Sequence, residues 1–365
     1  VGDRLHNTLA GERERLGWTQ ARMAEAAGIS RQSYAAIESG DSVPSTEVAL
    51  RLSEALGRSV SELFRLPDGA AESRVATWSG VAAPAPGARV RLARIGGRWV
   101  AHPCAEAHRP DGPADGRVLS GDRAEVRVDL FPDPPPSVGL AVVGCDPAFG
   151  IVADELRRER GIEVSWSQRG SRAALLALAR GEAHLAGSHL LDTGTGTWNE
   201  PSVHELVPFP CTRIAFAVWE QGLLVRPDVR PHIRGVADLG QGRARLLNRE
   251  PGSGSRALLD EVLAEAGVDR SFITGYATTA RGHLSVADGI AAGAADAGVA
   301  IRAAGQARGL EVLPLRKEAY ELVIPDHFLD LPALDALLRV LRRPAVRAQV
   351  EALGGYDGDS MGLPV

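Results

Sequence analysis

Three rhythms of apolar and polar positions divide the 365-residue chain. Over residues 5–65 apolar side chains recur every three or four positions, which predicts five short helices. The sharpest pair lies in Thr19 to Gly40. Ala21, Met23, Ala24 and Ala27 give one helix a small apolar face. Gly28 can end it in left-handed geometry, and Ser30 can cap the next helix. Tyr34 and Ile37, three apart, fix that second helix to a core, with Ile29 dropping in beside them. Pro44-Ser45 opens the fourth helix. The last spans Val60 to Phe64 and is stopped by Leu66-Pro67-Asp68-Gly69.

The period changes over residues 67–136. Residues 88–103 alternate apolar and charged side chains on both sides of Gly96-Gly97, a hairpin signal. Val126, Val128 and Leu130 alternate again with Arg127 and Asp129. A small β module is expected, followed by a stiff linker, Phe131-Pro132-Asp133-Pro134-Pro135-Pro136.

From Ser137 strands and helices alternate. Val138 to Val143 is a continuous apolar run, as for a strand buried on both faces. Gly144-Cys145-Asp146-Pro147 then opens a helix. Strands follow at Ile162–Trp166 and His184–Gly187, around a helix Arg172–Arg180 opened by Gly170-Ser171. Two strand–turn–helix units occupy 245–267 and 273–301. A strand-rich passage at 310–325 leads to closing helices at about 331–342 and 344–353. This is an α/β arrangement with turns at strand C-termini that can receive a ligand.

Composition narrows the picture. A hydrophobic share of 44% supports real cores. No run approaches the ~18 apolar residues of a membrane span, and no signal peptide precedes the first helices, so a cytoplasmic protein without a membrane partner is expected. Cys104, Cys145 and Cys211 are too few and scattered for a disulfide framework. Net charge is −5, and residues 1–65 hold nine acids and eight bases, so no general basic field marks a nucleic-acid face. Lys317 is the only lysine. Arginine counts therefore reflect coding bias and mean little alone.

On the second helix of the sharp pair, Arg31, Gln32, Ser33 and Ala36 remain on the outer face. Paired hydrogen-bonding side chains at the front of an exposed helix suit the DNA major groove. The flanks strengthen this. LAGERERLGWTQ, ISRQ, IESGDSVPS and VALRLSEALGRSVSELF together resemble the helix-turn-helix domain of the phage-repressor-like, XRE-type regulators, across about residues 4–65. The resemblance implies operator DNA as partner, with Gln20 on a phosphate and Arg31, Gln32 and Ser33 facing bases. With so few basic residues, affinity would rest on placed arginines and on a homodimer.

The sharpest ligand signal is NREPGSGSR, residues 248–256. A strand ends, a glycine–serine turn follows, and a helix begins. Helix N-termini carry unpaired N–H groups and receive anions. Ser253, Gly254 and Ser255 would line such a site, and Arg256 would add charge if it turned inward. The pattern is neither Walker, lacking the lysine, nor a nucleophile elbow. Cys145 and Asp146, Ser171, and Gly282-His283 sit at comparable turns, so several helix N-termini would converge on one anion.

Together GCDPAFG, GSRAALLALARGEAHLAGSHLLD, WNEP, NREPGSGSR, GHLSVADGIAAGAADAGVAI, LRKEAYELVIP and GGYDGDSMG carry a second resemblance. Residues 138–365 resemble the type II periplasmic-binding-protein fold, in its regulator-fused branch related to molybdate- and tungstate-binding proteins. The resemblance implies two lobes, 137–212 with 315–365 and 213–314, with ligand between them. It also implies anion contacts at Ser171, Ser253, Ser255 and Tyr320. Cys145 and Asp146 depart from that pattern, since relatives place small hydroxyl residues there. A carboxylate in the pocket repels an oxyanion unless Arg256 or Arg172 compensates, which keeps sulfate, a molybdenum–pterin cofactor or a small organic anion as alternatives.

The expected fold is multidomain: an all-α five-helix helix-turn-helix domain over 1–66, a small β-rich module with its proline-rich linker over 67–136, and an α/β two-lobed domain over 137–365. The expected function is a DNA-binding regulator whose effector is molybdate or tungstate, with no cofactor and no catalytic step. The alternative from another class is a cytoplasmic anion-binding protein or an enzyme. Other chemistry is discounted. His102, Cys104 and His108 lack a fourth ligand for zinc. Ser188-His189 with Asp192 holds hydrolase residue types, but neighbours on a strand end cannot face one another. Cys145 at a helix start could be a lowered-pKa thiol, though an inert buried one is the plainer reading. Trp166, Trp198 and Trp219 read as packing.

Overall fold

Capping explains the first helices. In the computed structural model, which describes residues 5–65, 73–132, 134–242 and 244–365, a two-residue strand β1 (His6–Asn7) precedes α1 (Leu9–Arg15). Helix α2 (Gln20–Ala27) starts where the Thr19 hydroxyl accepts the Arg22 N–H, and ends at Gly28 with φ +67°. Ser30 then caps α3 (Arg31–Glu38) by accepting the Ser33 N–H at 3.0 Å. Ser45 caps α4 (Thr46–Leu56), and Ser59 with Glu62 forms a capping box on α5 (Val60–Leu63). A second short strand, β2 (Phe64–Arg65), pairs with β1. Leu9, Met23, Tyr34, Leu52 and Leu63 are fully buried between these helices, whereas Ala21 faces solvent. The expected stop at Leu66-Pro67-Asp68-Gly69 and the 66/67 boundary lie outside the described residues.

The chain divides into two compact units, Val1–Ser73 and Arg74–Val365. The second opens with β3 (Ser73–Trp78), β4 (Arg89–Ile95), β5 (Arg98–Pro103), β6 (Gly116–Gly121) and β7 (Glu125–Leu130). Ile95 pairs with Arg98 around Gly96 and Gly97, whose φ angles of +54° and +81° are those of the expected tight turn. The strands follow the order β4-β5-β3-β7-β6, and a further β4–β6 pairing closes them into a barrel. Trp78, Val90, Leu92, Val118, Val126 and Val128 fill it.

The barrel is not a free-standing module. Strand β8 (Val138–Gly144) pairs through Val138 with Ala93 of β4, so barrel and α/β region share one sheet. The proline-rich segment is a short connection inside this unit, where the Pro136 carbonyl accepts from Arg91 at 2.8 Å. Asp133 lies outside the described residues. The expected linker between two bodies therefore joins parts of one.

Beyond β8 come α6 (Phe149–Arg160), β9 (Glu163–Gln168), α7 (Ser171–Ala179), β10 (Leu185–Ser188) and α8 (Glu200–Leu206). Strand β11 (Cys211–Val225) leads out of this first lobe. The second lobe holds β12 (Asn248–Arg249), α9 (Gly254–Glu265), β13 (Thr279–Ala280), α10 (Gly282–Ala291), β14 (Ala297–Ile301) and α11 (Arg302–Gln306). Strand β15 (Glu311–Pro325) returns, and α12 (Pro332–Leu341), α13 (Pro344–Glu351) and β16 (Tyr356–Asp357) complete the first lobe.

The 15-residue strands β11 and β15 pair antiparallel from Cys211–Pro325 to Val225–Glu311, with irregularities at Ala215/Ala217 and Gln221/Gly222. They are the crossing strands, and the expected lobe boundaries at 212/213 and 314/315 fall inside them. Leu246, Leu258, Leu259, Ile273 and Val299 pack the second lobe. No helix among the described residues is long and apolar enough to cross a membrane. All three cysteine thiols are free.

Candidate functional site

Two surfaces carry the predicted residues, one in each unit. On the helical unit, Arg31, Gln32 and Ser33 are exposed on the first turn of α3, and Ala36 is half-buried one turn on. Ser33 is turned back to its cap, with its hydroxyl 2.8 Å from that of Ser30. Gln20 is held by Glu38, its Nε2 donating at 2.6 Å. Glu38 also accepts from Arg13 at 2.7 Å and from the Tyr34 hydroxyl at 3.0 Å. Burial would raise the Glu38 carboxyl, but these donors hold it below its ordinary range. A buried acid thus fixes the start of α2 against the end of α3.

The second surface lies between the lobes of the larger unit, which are shut. Their turns touch where glycines leave room. A Cβ on Gly170 would sit 3.1 Å from Ser253 Cα, one on Gly254 2.4 Å from the His189 ring, and one on Gly282 2.9 Å from Gln168 Oε1. The N-termini of α7, α9 and α10 therefore meet in one place, as the turn pattern predicted.

At their centre stands His189, which sequence reasoning set aside. Its Nε2 lies 3.4 Å from Cys145 Sγ, and its Nδ1 lies 2.7 Å from Glu318 Oε2. Burial would depress the imidazole, yet the Cys145 sulfur and the Glu318 carboxylate outweigh it and hold His189 protonated. Gln221 Nε2 donates to the same Glu318 oxygen at 2.6 Å. The Trp219 ring packs edge-on against both His189 and His283, so one of the three discounted tryptophans belongs to the site. Ser188 and Asp192 do not complete a hydrolase triad: Asp192 accepts from Thr195 instead.

Charge comes from Arg249, not from the predicted Arg256. Helix α9 aims Arg256 outward, over the Tyr276 ring at 4.1 Å and towards Asp260 one turn on. Arg172 likewise pairs with Glu205 at the surface. Arg249, at the end of β12, is buried. Its Nε donates to Glu250 at 2.9 Å and its Nη1 to His283 Nδ1 at 3.0 Å. Arginine only donates, so Nδ1 of His283 is the acceptor and Nε2 carries the proton. Burial, then Arg249 and His189, keep His283 neutral.

The predicted hydroxyls divide by task. Ser171 accepts the His189 N–H at 3.1 Å, and Ser253 caps α9 by accepting the Arg256 N–H at 3.3 Å. Each keeps a hydroxyl hydrogen to donate. Ser255 is fully buried with no hydrogen-bond partner. Ser188 Oγ, His283 Nε2, Gln221 Oε1 and Asp146 Oδ2 are buried and unpartnered as well. Burial pushes the Asp146 carboxyl up to about 7, against the pull of the Tyr356 hydroxyl at 2.6 Å and the Ala148 amide at 2.9 Å. The Tyr320 hydroxyl packs over Gly144 and Gly187. Buried polar groups are normally satisfied, so this cluster has the character of a small-ligand site.

The discounted zinc trio does not converge. His102 bonds Ser79 at 3.1 Å, the Cys104 thiol points to the Pro113 carbonyl, and His108 stacks on Trp166 at 4.2 Å between ring centroids. Cys104, His108 and Trp166 line a separate cavity of about 320 Å³ at the seam of barrel and first lobe.

Residues 153–342 match the PBP superfamily domain, and residues 9–63 match a helix-turn-helix domain. The uncharacterized protein YvgK of Bacillus subtilis (strain 168) is 30% identical over 227 residues, 62% of this chain and 72% of that protein. The uncharacterized HTH-type transcriptional regulator YgzD of the same organism is 36% identical over 64 residues, 18% of this chain and 97% of that one. Among solved structures, a tungstate ABC transporter from Geobacter sulfurreducens is 13% identical with a TM-score of 0.43, covering 58% of this chain and 97% of that chain. Likeness at that level carries no ligand across.

Proposed function

The chain belongs to the PBP superfamily and joins that domain to a helix-turn-helix domain, and from that premise we propose that it is a ligand-responsive, DNA-binding transcriptional regulator whose effector is molybdate or tungstate. The observation that carries the ligand half is the buried set of unpartnered donors, Ser188, Ser255 and His283, gathered beside Arg249 where three helices begin. Each helix N-terminus contributes about half a positive charge, and in a dry site those partial charges act at full strength on an anion. The exposed Arg31–Gln32 face supports the DNA half. The protein acts in the cytoplasm as a homodimer on a two-fold operator, and no catalytic step is needed.

Asp146 Oδ2 and Gln221 Oε1 support a second reading. They are acceptors, and a ligand that also donates, such as a hydroxylated organic anion, would satisfy them. Titration calorimetry of the full-length protein with molybdate, tungstate, sulfate and phosphate separates the two. Binding of the first two at micromolar concentration or tighter is expected. No heat from any of the four favours the organic anion.

A further inference from the structure

We propose that Cys145 bonds through its sulfur directly to the metal atom of a molybdate or tungstate ion held in the cleft, so that the site separates these ions from sulfate and phosphate by ligand exchange. The inference rests on the effector reading given above.

Cys145 follows β8 and is buried against the ligand cluster. Its sulfur, a ring nitrogen of His189 and one of His283 lie within 4.8 Å of one another. Three such donors suggest a bound metal cation, but two features oppose it. His283 accepts from Arg249, so its inward Nε2 bears a proton and cannot ligate without breaking that bond. The Arg249 guanidinium would also repel a cation. The surroundings suit an anion.

As a hydrogen-bond donor to an anion a thiol is weak, and a serine there would serve better. What sulfur offers is soft donation to a transition-metal centre. Hexavalent molybdenum and tungsten exchange an oxo group for a thiolate, whereas the sulfur of sulfate and the phosphorus of phosphate do not under the same conditions. The cluster places what that exchange needs. His189, fixed by Glu318, is beside Sγ to take the thiol proton and pass it to the departing oxygen. Ser255 and His283 are the unpartnered donors for oxygens that remain.

The step balances. The S–H bond and one metal–oxygen bond break, and one metal–sulfur bond forms. The thiol proton and one proton from solvent leave on the displaced oxygen as water. The thiol and a tetraoxo dianion thus become a trioxo thiolate monoanion. The metal stays hexavalent, so no electrons move.

The test uses the full-length protein, its Cys145→Ser variant and Cys145→Ala as a second replacement, with melting curves to show that both fold. Molybdate is titrated while near-ultraviolet absorption is recorded, and the bound complex is examined by X-ray absorption at the molybdenum edge. A sulfur-to-metal charge-transfer band and a sulfur neighbour are expected with the parent and absent from both variants. Either variant should bind molybdate at least tenfold more weakly and lose preference over sulfate. Stoichiometric molybdate binding with oxygen neighbours alone would overturn the sulfur bond and leave the effector reading standing. Absence of calorimetric binding by either metallate would remove both.

Discussion

Glu318 Oε2 lies 2.7 Å from His189 Nδ1, which ties the crossing strand β15 to the end of β10 across 129 residues of sequence. The same oxygen takes Gln221 Nε2 from the other crossing strand, β11. One carboxylate therefore holds three pieces of the cleft, and His189 is oriented by it towards Cys145. Glu318→Gln removes the charge while keeping the shape. Leaving a buried imidazolium without its counter-charge costs about 3–5 kcal/mol. Chemical denaturation should show a loss of that order, and calorimetry a weaker affinity for any cleft ligand. Unchanged stability would mean that His189 is not held protonated.

Asp146 gives a pH dependence. Its carboxyl titrates at about 7 when folded, because it is buried, against about 3.9 when unfolded. The folded state thus binds the extra proton between these values, and stability falls as pH rises through that window. The penalty is absent below pH ~4 and fully present above ~7, where the difference corresponds to about 4 kcal/mol. Asp146→Asn removes the ionisation. Its stability relative to the parent should rise from pH 4 to 7 and then level. Parallel curves for the two proteins would refute the assignment.

Gly254 lets the lobes shut. An alanine Cβ there would meet the His189 ring at 2.4 Å and its carbonyl oxygen at 3.1 Å. Overpacking of this kind costs roughly 1–3 kcal/mol, and it falls on the closed form alone. Gly254→Ala should weaken ligand binding roughly 10- to 100-fold with little change in the melting temperature of the free protein. Solution scattering should show a more open free form. Parent-like affinity would place the ligand elsewhere.

Local signals were legible and long-range ones were not. Gly28, Ser30 and the Gly96-Gly97 turn act on neighbours within a few residues, and each does in the structure what its sequence predicts. The strand-to-helix turns were equally plain, so the convergence of α7, α9 and α10 was legible too. Arg249 and Arg256 flank one loop, and only the end of β12 against the third residue of α9 decides which turns inward. A buried arginine beside Asn248 at a strand end was the available clue. Cys145, His189 and Glu318 meet through the register of β8, β10 and β15, which no spacing encodes. The pairing of Ala93 with Val138, which welds the barrel to the first lobe, left no sequence mark either.

On the helical unit, Arg31 and Gln32 stand clear on α3. Arg31→Ala and Gln32→Ala should each cost ~1–3 kcal/mol on a selected operator and relax its base preference. Gln20 is anchored by Glu38, so Gln20→Ala should weaken all sequences more evenly. Gel-shift series on selected and scrambled sites measure both. If Arg31→Ala and Gln32→Ala both bind like the parent, another face reads the DNA.

Ligand and operator should be coupled, and the structure suggests through what. Arg169 directly precedes the Gly170-Ser171 turn of the cleft. Its guanidinium donates to the Ser79 carbonyl of the barrel and lies 3.5 Å from Glu106 Oε2, while Glu106 Oε1 accepts the Val81 N–H at 2.8 Å. The barrel is thus wired to a turn that takes part in closure, and its first strand follows the helical unit along the chain. A ligand shifts an equilibrium only through its different affinity for the two states, and closure supplies that difference. Saturating ligand should change operator affinity by ~1–3 kcal/mol, and operator should change ligand affinity by the same factor. Glu106→Gln keeps the amide contacts and removes the charge facing Arg169. It should leave ligand affinity in the absence of DNA near the parent value and reduce the coupling by at least half. The measurement is a four-cornered cycle: operator affinity with and without ligand, and ligand affinity with and without operator, for parent and variant. Full coupling in the variant would show that the signal does not pass through Glu106 and Arg169. Zero coupling in the parent, with a ligand shown to bind, would mean that the cleft does not govern the DNA-binding unit.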